Sequence, residues 1–157
     1  MNQPVRQRSR SSMQMPGSTM QQQPNLRRDF FTYSIDFANL AAGTTQNDAI
    51  QIQADSDFEL QKLAQFCDIA GAAQTADSRV LPLVTVQLQD TGTGRLLFNE
   101  AVPIPGIMGD GQIPFILPTT KLFSKNASIS VQVANYSAAT AYNLRLLLIG
   151  SKIFQYG

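Results

Sequence analysis

The sequence predicts an all-β fold: an antiparallel, jelly-roll-like sandwich of about eight strands with an extended N-terminal arm. Three observations lead there. Short apolar runs alternate at period two along most of the chain from Asp29 onward. Turn chemistry rich in Gly, Pro, Asn and Asp separates them, and no segment carries the 3.6-residue apolar repeat of a helix longer than two turns. Composition also breaks at Asp29. Residues 1–28 hold five arginines, three prolines, four of the five methionines and no acid. From Asp29 to the end, seven Lys and Arg stand against eleven Asp and Glu, a net of −4 against the arm's +5. Two regions follow: residues 1–28, a polar basic arm, and residues 29–157, a β-sandwich domain. The arm holds too little apolar surface to fold alone, so a partner must order it. The body, about 129 residues, is long enough for one core.

The strands follow in order. Phe31, Tyr33, Ile35 and Phe37 share one face of a half-buried strand over 30–37, and residues 39–48, with Gly43, read as a turn. Ile50 and Ile52 mark a second strand. Phe58, Leu60, Leu63, Phe66 and Ile69 fit neither period, so 58–69 reads as a strand running into a loop, with 71–78 small and polar. Val84, Val86 and Leu88 alternate with Thr85, Gln87 and Gln89, and residues 90–94, Asp-Thr-Gly-Thr-Gly, reverse the chain into a hairpin over 82–98. Residues 102–111 hold two prolines and three glycines; this segment reads as an ordered excursion between sheets. Pro114 and Pro118 confine the next extended segment to a sheet edge or a bulge. Two strands close the body, with Ile129, Val131 and Val133 and then Leu144, Leu146 and Leu148 on their inner faces.

The search for chemistry leads away from an enzyme. Histidine is absent, which removes the commonest general base and the commonest neutral metal ligand, and no Ser-His or Cys-His pair can form. The single cysteine, Cys67, permits no intrachain disulfide and reads as a small buried hydrophobe. Asp55, Asp57 and Glu59 sit two apart and are expected on one strand face. No calcium-type loop surrounds them, so they read as a solvated face that discourages edge pairing. Residues 106–111 lack the Lys-Ser/Thr of a phosphate loop. The expected catalytic residues, metal ligands and cofactors are therefore none. No apolar run is long enough to span a bilayer, and no apolar segment follows the N-terminal arginines as a secretory signal requires. The Asn126-Ala-Ser128 glycosylation pattern is accordingly read as unused.

The arm is the candidate binding element. Arg6, Arg8, Arg10, Arg27 and Arg28 supply charge-assisted donors, and Met13, Met15, Met20 and Leu26 supply adaptable apolar points for a protein groove. It has no aromatics to stack bases and the body is acidic, so a protein partner is favoured over direct nucleic-acid contact.

The polar arm, the segment Asn126-Ala-Ser-Ile-Ser-Val-Gln-Val-Ala-Asn135, the closing run Leu144-Arg-Leu-Leu-Leu-Ile-Gly-Ser-Lys-Ile-Phe154 and the extended Pro114-Phe-Ile-Leu-Pro118 together resemble the jelly-roll cement or decoration proteins of tailed bacteriophage capsids. The resemblance spans residues 30–154. It implies a non-enzymatic structural protein, made in the host cytoplasm and carried on the outer capsid surface. There it would staple copies of the major capsid protein and associate with itself as a dimer or trimer. The alternative is a jelly-roll receptor- or carbohydrate-binding module of a head fibre or spike tip, stacking sugars on Tyr136, Tyr142 or Tyr156.

Overall fold

The structure, a computed structural model, describes residues 25–72 and 80–156. The described chain forms β1 Asn25–Leu40, β2 Thr45–Gln51, β3 Asp57–Ile69, β4 Val84–Asp90, β5 Arg95–Leu96, β6 Val102–Pro103, the one-turn helix α1 Ile104–Ile107, β7 Phe115–Phe123, β8 Ser128–Asn135 and β9 Tyr142–Tyr156. One sheet runs β1-β9-β3-β7, the other β2-β8-β4-β5, with β6 also on β4. Every named pair is antiparallel.

The pairing is nested. β1 joins β9, β2 joins β8, β3 joins β7, and β4 joins β5 and β6. The chain is thus one long two-stranded ribbon, tipped by the turn at 91–94. It is rolled so that β9 also reaches β3 and β8 also reaches β4. That is jelly-roll connectivity. β5 and β6 have two residues each and share one edge of β4, so together they stand where one return strand was expected.

The turn at the tip is held by its own sequence. The Asp90 carboxylate accepts from the Gly92 N–H at 3.0 Å and the Thr93 hydroxyl at 2.8 Å, and Gly94 takes the left-handed φ of +69° that the reversal needs. Side chains from both sheets fill the space between them: Phe58, Leu60, Leu146 and Leu148 from one, Val86, Leu88, Ile129, Val131 and Val133 from the other, all fully buried. The Tyr33 ring meets Phe58 edge to face at 4.8 Å between centroids.

Two expectations change, each for a local reason. Residues 58–69 form one continuous strand, β3. Leu60 faces Gly150 and Lys62 faces Ile149, so Gln61 is an extra residue in a β-bulge. The bulge shifts the inward residues from Phe58 and Leu60 to Leu63 and Cys67, which is why neither period fitted. A Cβ on Gly150 would lie 1.9 Å from the Glu59 carbonyl oxygen, so only glycine fits opposite the bulge. The boundary expected at Asp29 also moves: β1 begins at Asn25, and residues 25–28 pair with 153–156 of β9. Leu26, Arg27 and Arg28 therefore belong to the first strand, and removing residues 1–28 would cut into the sheet.

Other features follow the sequence. β7 lies at a sheet edge, and Pro118 falls where its pairing with β3 lapses between Ile116 and Lys121. The excursion after β6 crosses between sheets. Ile104 and Met108 are buried beneath it, and Gly109 pairs with β3 of the other sheet, accepting from the Gln65 N–H at 2.8 Å.

Asn135, at the end of β8, ties two connections together. Its buried amide donates to the carbonyls of Leu40 at 3.0 Å, Ala41 at 3.2 Å and Thr140 at 2.9 Å, and its Oδ1 accepts from the Ser137 N–H at 2.9 Å. One side chain thereby fixes both the β1–β2 turn and the β8–β9 loop. Asn135→Ala is expected to lower stability by about 2–3 kcal/mol, because it orphans carbonyls inside the fold. Chemical denaturation of the variant beside the wild type measures this.

Candidate interaction surface

The residues singled out for binding divide in two. Arg6, Arg8, Arg10, Met13, Met15 and Met20 lie outside the described residues. Leu26, Arg27 and Arg28 lie at the start of β1 and are exposed. Arg27 Nε reaches Asp29 Oδ1 at 2.9 Å, an exposed pair of little energetic weight. Arg28 reaches across β9 to Glu59 on β3, whose other oxygen accepts from the Thr120 hydroxyl on β7 at 3.0 Å. One row of polar contacts thus crosses the whole first sheet.

That row crosses an apolar surface that sequence reasoning missed. On the outer face of the first sheet, Phe30 is 78% exposed, Ile116 67% and Leu122 52%. Register aligns Phe30, Ser151, Glu59 and Leu122 across four strands, and Thr32, Ile149, Lys62 and Ile116 in the next row. Half-buried Leu147, Ile149 and Ile153 line the same face of β9. The signal was present in the run Leu144 to Ile149, where every residue but Arg145 is apolar, so β9 is apolar on both faces. Phe30 gave a second sign, being out of phase with Phe31, Tyr33, Ile35 and Phe37.

Toward the far end of this face lies a cleft of about 530 Å³ whose lining includes Asp36, Phe66, Asp68, Asn143, Arg145 and Leu147. Arg145 grips Asp36 with two parallel bonds, Nη2 to Oδ2 at 2.8 Å, and this partner raises the guanidinium pKa above its ordinary value. Asn143 Oδ1 accepts from the Asn39 N–H at 2.8 Å.

The three acids do not share a face. Asp57 and Glu59 project outward from β3, and Asp57 accepts from the Lys125 N–H at 2.9 Å. Asp55 lies in the turn before β3 and reaches Lys152, an inward residue of β9 that is nearly fully buried. The Lys152 ammonium sits 2.9 Å from Asp55 Oδ2 and 4.4 Å from the Phe31 ring centroid, and donates to Gln53 Oε1. The Gln53 N–H donates to the Tyr33 hydroxyl at 3.0 Å. The trio is thus consumed in ion pairs and caps, and among the described residues no group of three or more His, Cys, Asp or Glu gathers as a metal site would require. Cys67 faces the core, where burial, helped by the charge of Asp68, pushes its thiol up to about 12. Tyr33 and Tyr142 are buried, Tyr136 is 70% exposed, and the side chain of Tyr156 lies outside the described residues. Tyr142 is therefore removed from the surface that a sugar could reach.

No protein-family model matches the chain, and no curated protein matches it by sequence. Among solved structures, a disulfide-linked pilus protein of Bacillus endospore appendages overlaps 92% of this chain and 100% of its own, at 14% identity and a TM-score of 0.33. The VP2 subviral particle of infectious bursal disease virus overlaps 82% of this chain and 36% of its own, at 11% identity and a TM-score of 0.32.

The Lys152 site predicts a pH dependence. The hydrogen bond from Lys152 holds the Asp55 carboxyl below its ordinary value of 3.8 against the opposing effect of burial, with the Ser56 hydroxyl assisting. A depressed folded-state pKa contributes stability in full above the unfolded value and loses it as pH falls through the folded value. Asp55→Asn should be less stable than wild type at neutral pH, and the gap should close in acid below 3.8; denaturation midpoints against pH check this. Cys67 is expected to stay unreactive toward a thiol reagent until the protein unfolds, read by absorbance of the released chromophore.

Proposed function

We propose that this chain is a structural virion protein, a cement or decoration protein that sits on the outer surface of a phage head and staples neighbouring major capsid protein subunits. The observation that carries the reading is the way the arm is mounted. Residues 1–24 hold Arg6, Arg8 and Arg10 and no acid, and they lead directly into β1. That strand bears Phe30 on the open apolar face of a sheet cross-tied by Arg28 and Glu59. A firmly braced body carrying a long basic tether suits stapling; Asp55, Asp57 and Glu59 are held by Lys152, the Lys125 backbone N–H and Arg28.

The energetics fit attachment to a lattice. Fully extended, 24 residues reach about 80 Å at ~3.3 Å each, enough to cross to a neighbouring subunit. Ordering them costs on the order of 1–2 kcal/mol per residue, so the partner groove must return many contacts through the methionines and arginines. A protein that binds only the assembled shell stabilises it by mass action, and engagement of body and arm together raises avidity through effective concentration. The protein also associates with itself in this reading.

A second reading, a glycan- or receptor-binding module, draws on the cleft beside Phe66, Asn143 and Arg145 and on exposed Tyr136. Selective, saturable binding on a glycan array would favour it.

Removing residues 2–24 tests the first reading. The truncated protein is expected to keep its melting temperature, since β1 and its pairing with β9 remain whole. In co-sedimentation with capsids it should bind at least tenfold more weakly than the full chain, a loss of about 1.4 kcal/mol or more. Undiminished attachment would make the arm a bystander and overturn the staple.

A further inference from the structure

The two sheets have four edge regions, and three are blunted. β2 is seven residues long, and its Asp48 carboxylate takes the Ala49 N–H at 2.8 Å. β5 and β6 offer two residues each. β7 carries Pro118 and Lys121, and its pairing lapses between Ile116 and Lys121. β1 differs from all of them. It runs sixteen residues without Pro, Gly or Lys, holds one unbroken register with β9 from Asn25 to Phe37, and among the described residues has no strand on its other side. A long edge rich in aromatic and β-branched residues, regular up to the register shift between Phe37 and Leu40, is a template for another strand.

We propose that this edge pairs with β1 of a second copy of the chain, antiparallel, about a two-fold axis at Thr32. The partner is argued from the strand's own sequence. In a continuous antiparallel sheet, residues that face each other across the axis lie at equal distances from its centre. With the axis at Thr32, Arg28 faces Asp36 of the second copy, twice over, Phe31 faces Tyr33 of the second copy, and Thr32 faces its own equivalent. Opposite charges, aromatic pairs and Thr–Thr pairs are the favourable cross-strand combinations. Moving the axis one residue, to Phe31 or Tyr33, sets Asp36 against Leu26 or Phe30 and loses the charge pairs.

The ion pairs of the first sheet extend this register. Asp36 is held by Arg145, and Arg28 by Glu59. Pairing at Thr32 therefore links Arg145, Asp36, Arg28 of the second copy and Glu59 of the second copy into one row of alternating sign across the joined sheets. The contact is isologous, so it closes at two copies and leaves no further β1 edge exposed. It specifies the surface and register of the self-association proposed above. It stands on β1 alone, so a monomer here would leave capsid attachment through the arm untouched.

The test uses the full chain. Sedimentation equilibrium should give twice its 17.2 kDa. Thr32→Lys, which sets two ammonium groups face to face, should lose the dimer while keeping the wild-type circular dichroism. Thr32→Cys should form a covalent dimer on mild oxidation, with native Cys67 silent because it is buried. Ser34→Cys, which faces Phe30 of the second copy, should not cross-link. The Thr32→Cys readout stands alone if Thr32→Lys fails to fold, and it applies equally if the dimer is part of a larger assembly. A monomeric wild type, an oligomer that Thr32→Lys leaves intact, or cross-linking at Ser34 equal to that at Thr32 would overturn the proposal.

Discussion

The position of β9 between β1 and β3 is the constraint from which the other features follow. β9 pairs with the first strand along its length and with the third from Tyr142 to Ile153, so the last strand lies inside the sheet that the first strand edges. Because the register aligns Gly150 with Leu60 and Ile149 with Lys62, it places the bulge, and the bulge turns Leu63 and Cys67 inward. The same register carries Lys152 into the end of the core, where a buried ammonium is tolerable only with Asp55, Gln53 and the Phe31 ring around it. It also brings residues 25–28 into the sheet, which no local preference of Asn-Leu-Arg-Arg would do.

Consequences for function run outward from the same strand. β9 is apolar on its inner face because it faces β8 and β4 across the core, and apolar on much of its outer face as well, with Leu147, Ile149 and Ile153 half-buried there. Around them Phe30, Ile116 and Leu122 stand open. The ion pairs Arg28–Glu59 and Arg145–Asp36 lie on this face and lace β1 to its neighbours. Such exposed pairs contribute little stability in water, and their larger effect is on which partner surfaces and registers are accepted.

Strands with one dry and one wet face were legible in the sequence because alternation reports them directly; β4 and β8 and the inward half of β1 fall in this group. The antiparallel all-β class followed from their number and spacing, and the jelly roll from the long ordered loop at 99–112, which suits a crossing between sheets. β3 was obscured because an extra residue at Gln61 breaks the period in mid-strand. The start of β1 was obscured because residues 25–28 are strand only by virtue of a partner more than a hundred positions away. The same distance hid the fate of the acids, since Asp55 meets Lys152 and Glu59 meets Arg28. Asn135 looked like an ordinary loop residue, and nothing nearby in sequence signals that its amide serves three carbonyls. Of the candidate binding residues, those after Asn25 have a place in the fold and those before it lie outside the described residues.

The proposed role is that of a rolled β body carried on the outside of a capsid, where it bridges neighbouring subunits. An electron cryomicroscopy reconstruction of particles carrying the chain tests it most directly. Jelly-roll density is expected on the outer shell, with an extended segment running from the Asn25 end of β1 onto a neighbouring capsid subunit. Density confined to the particle interior, or to a tail or fibre tip with no contact to the shell, would contradict it.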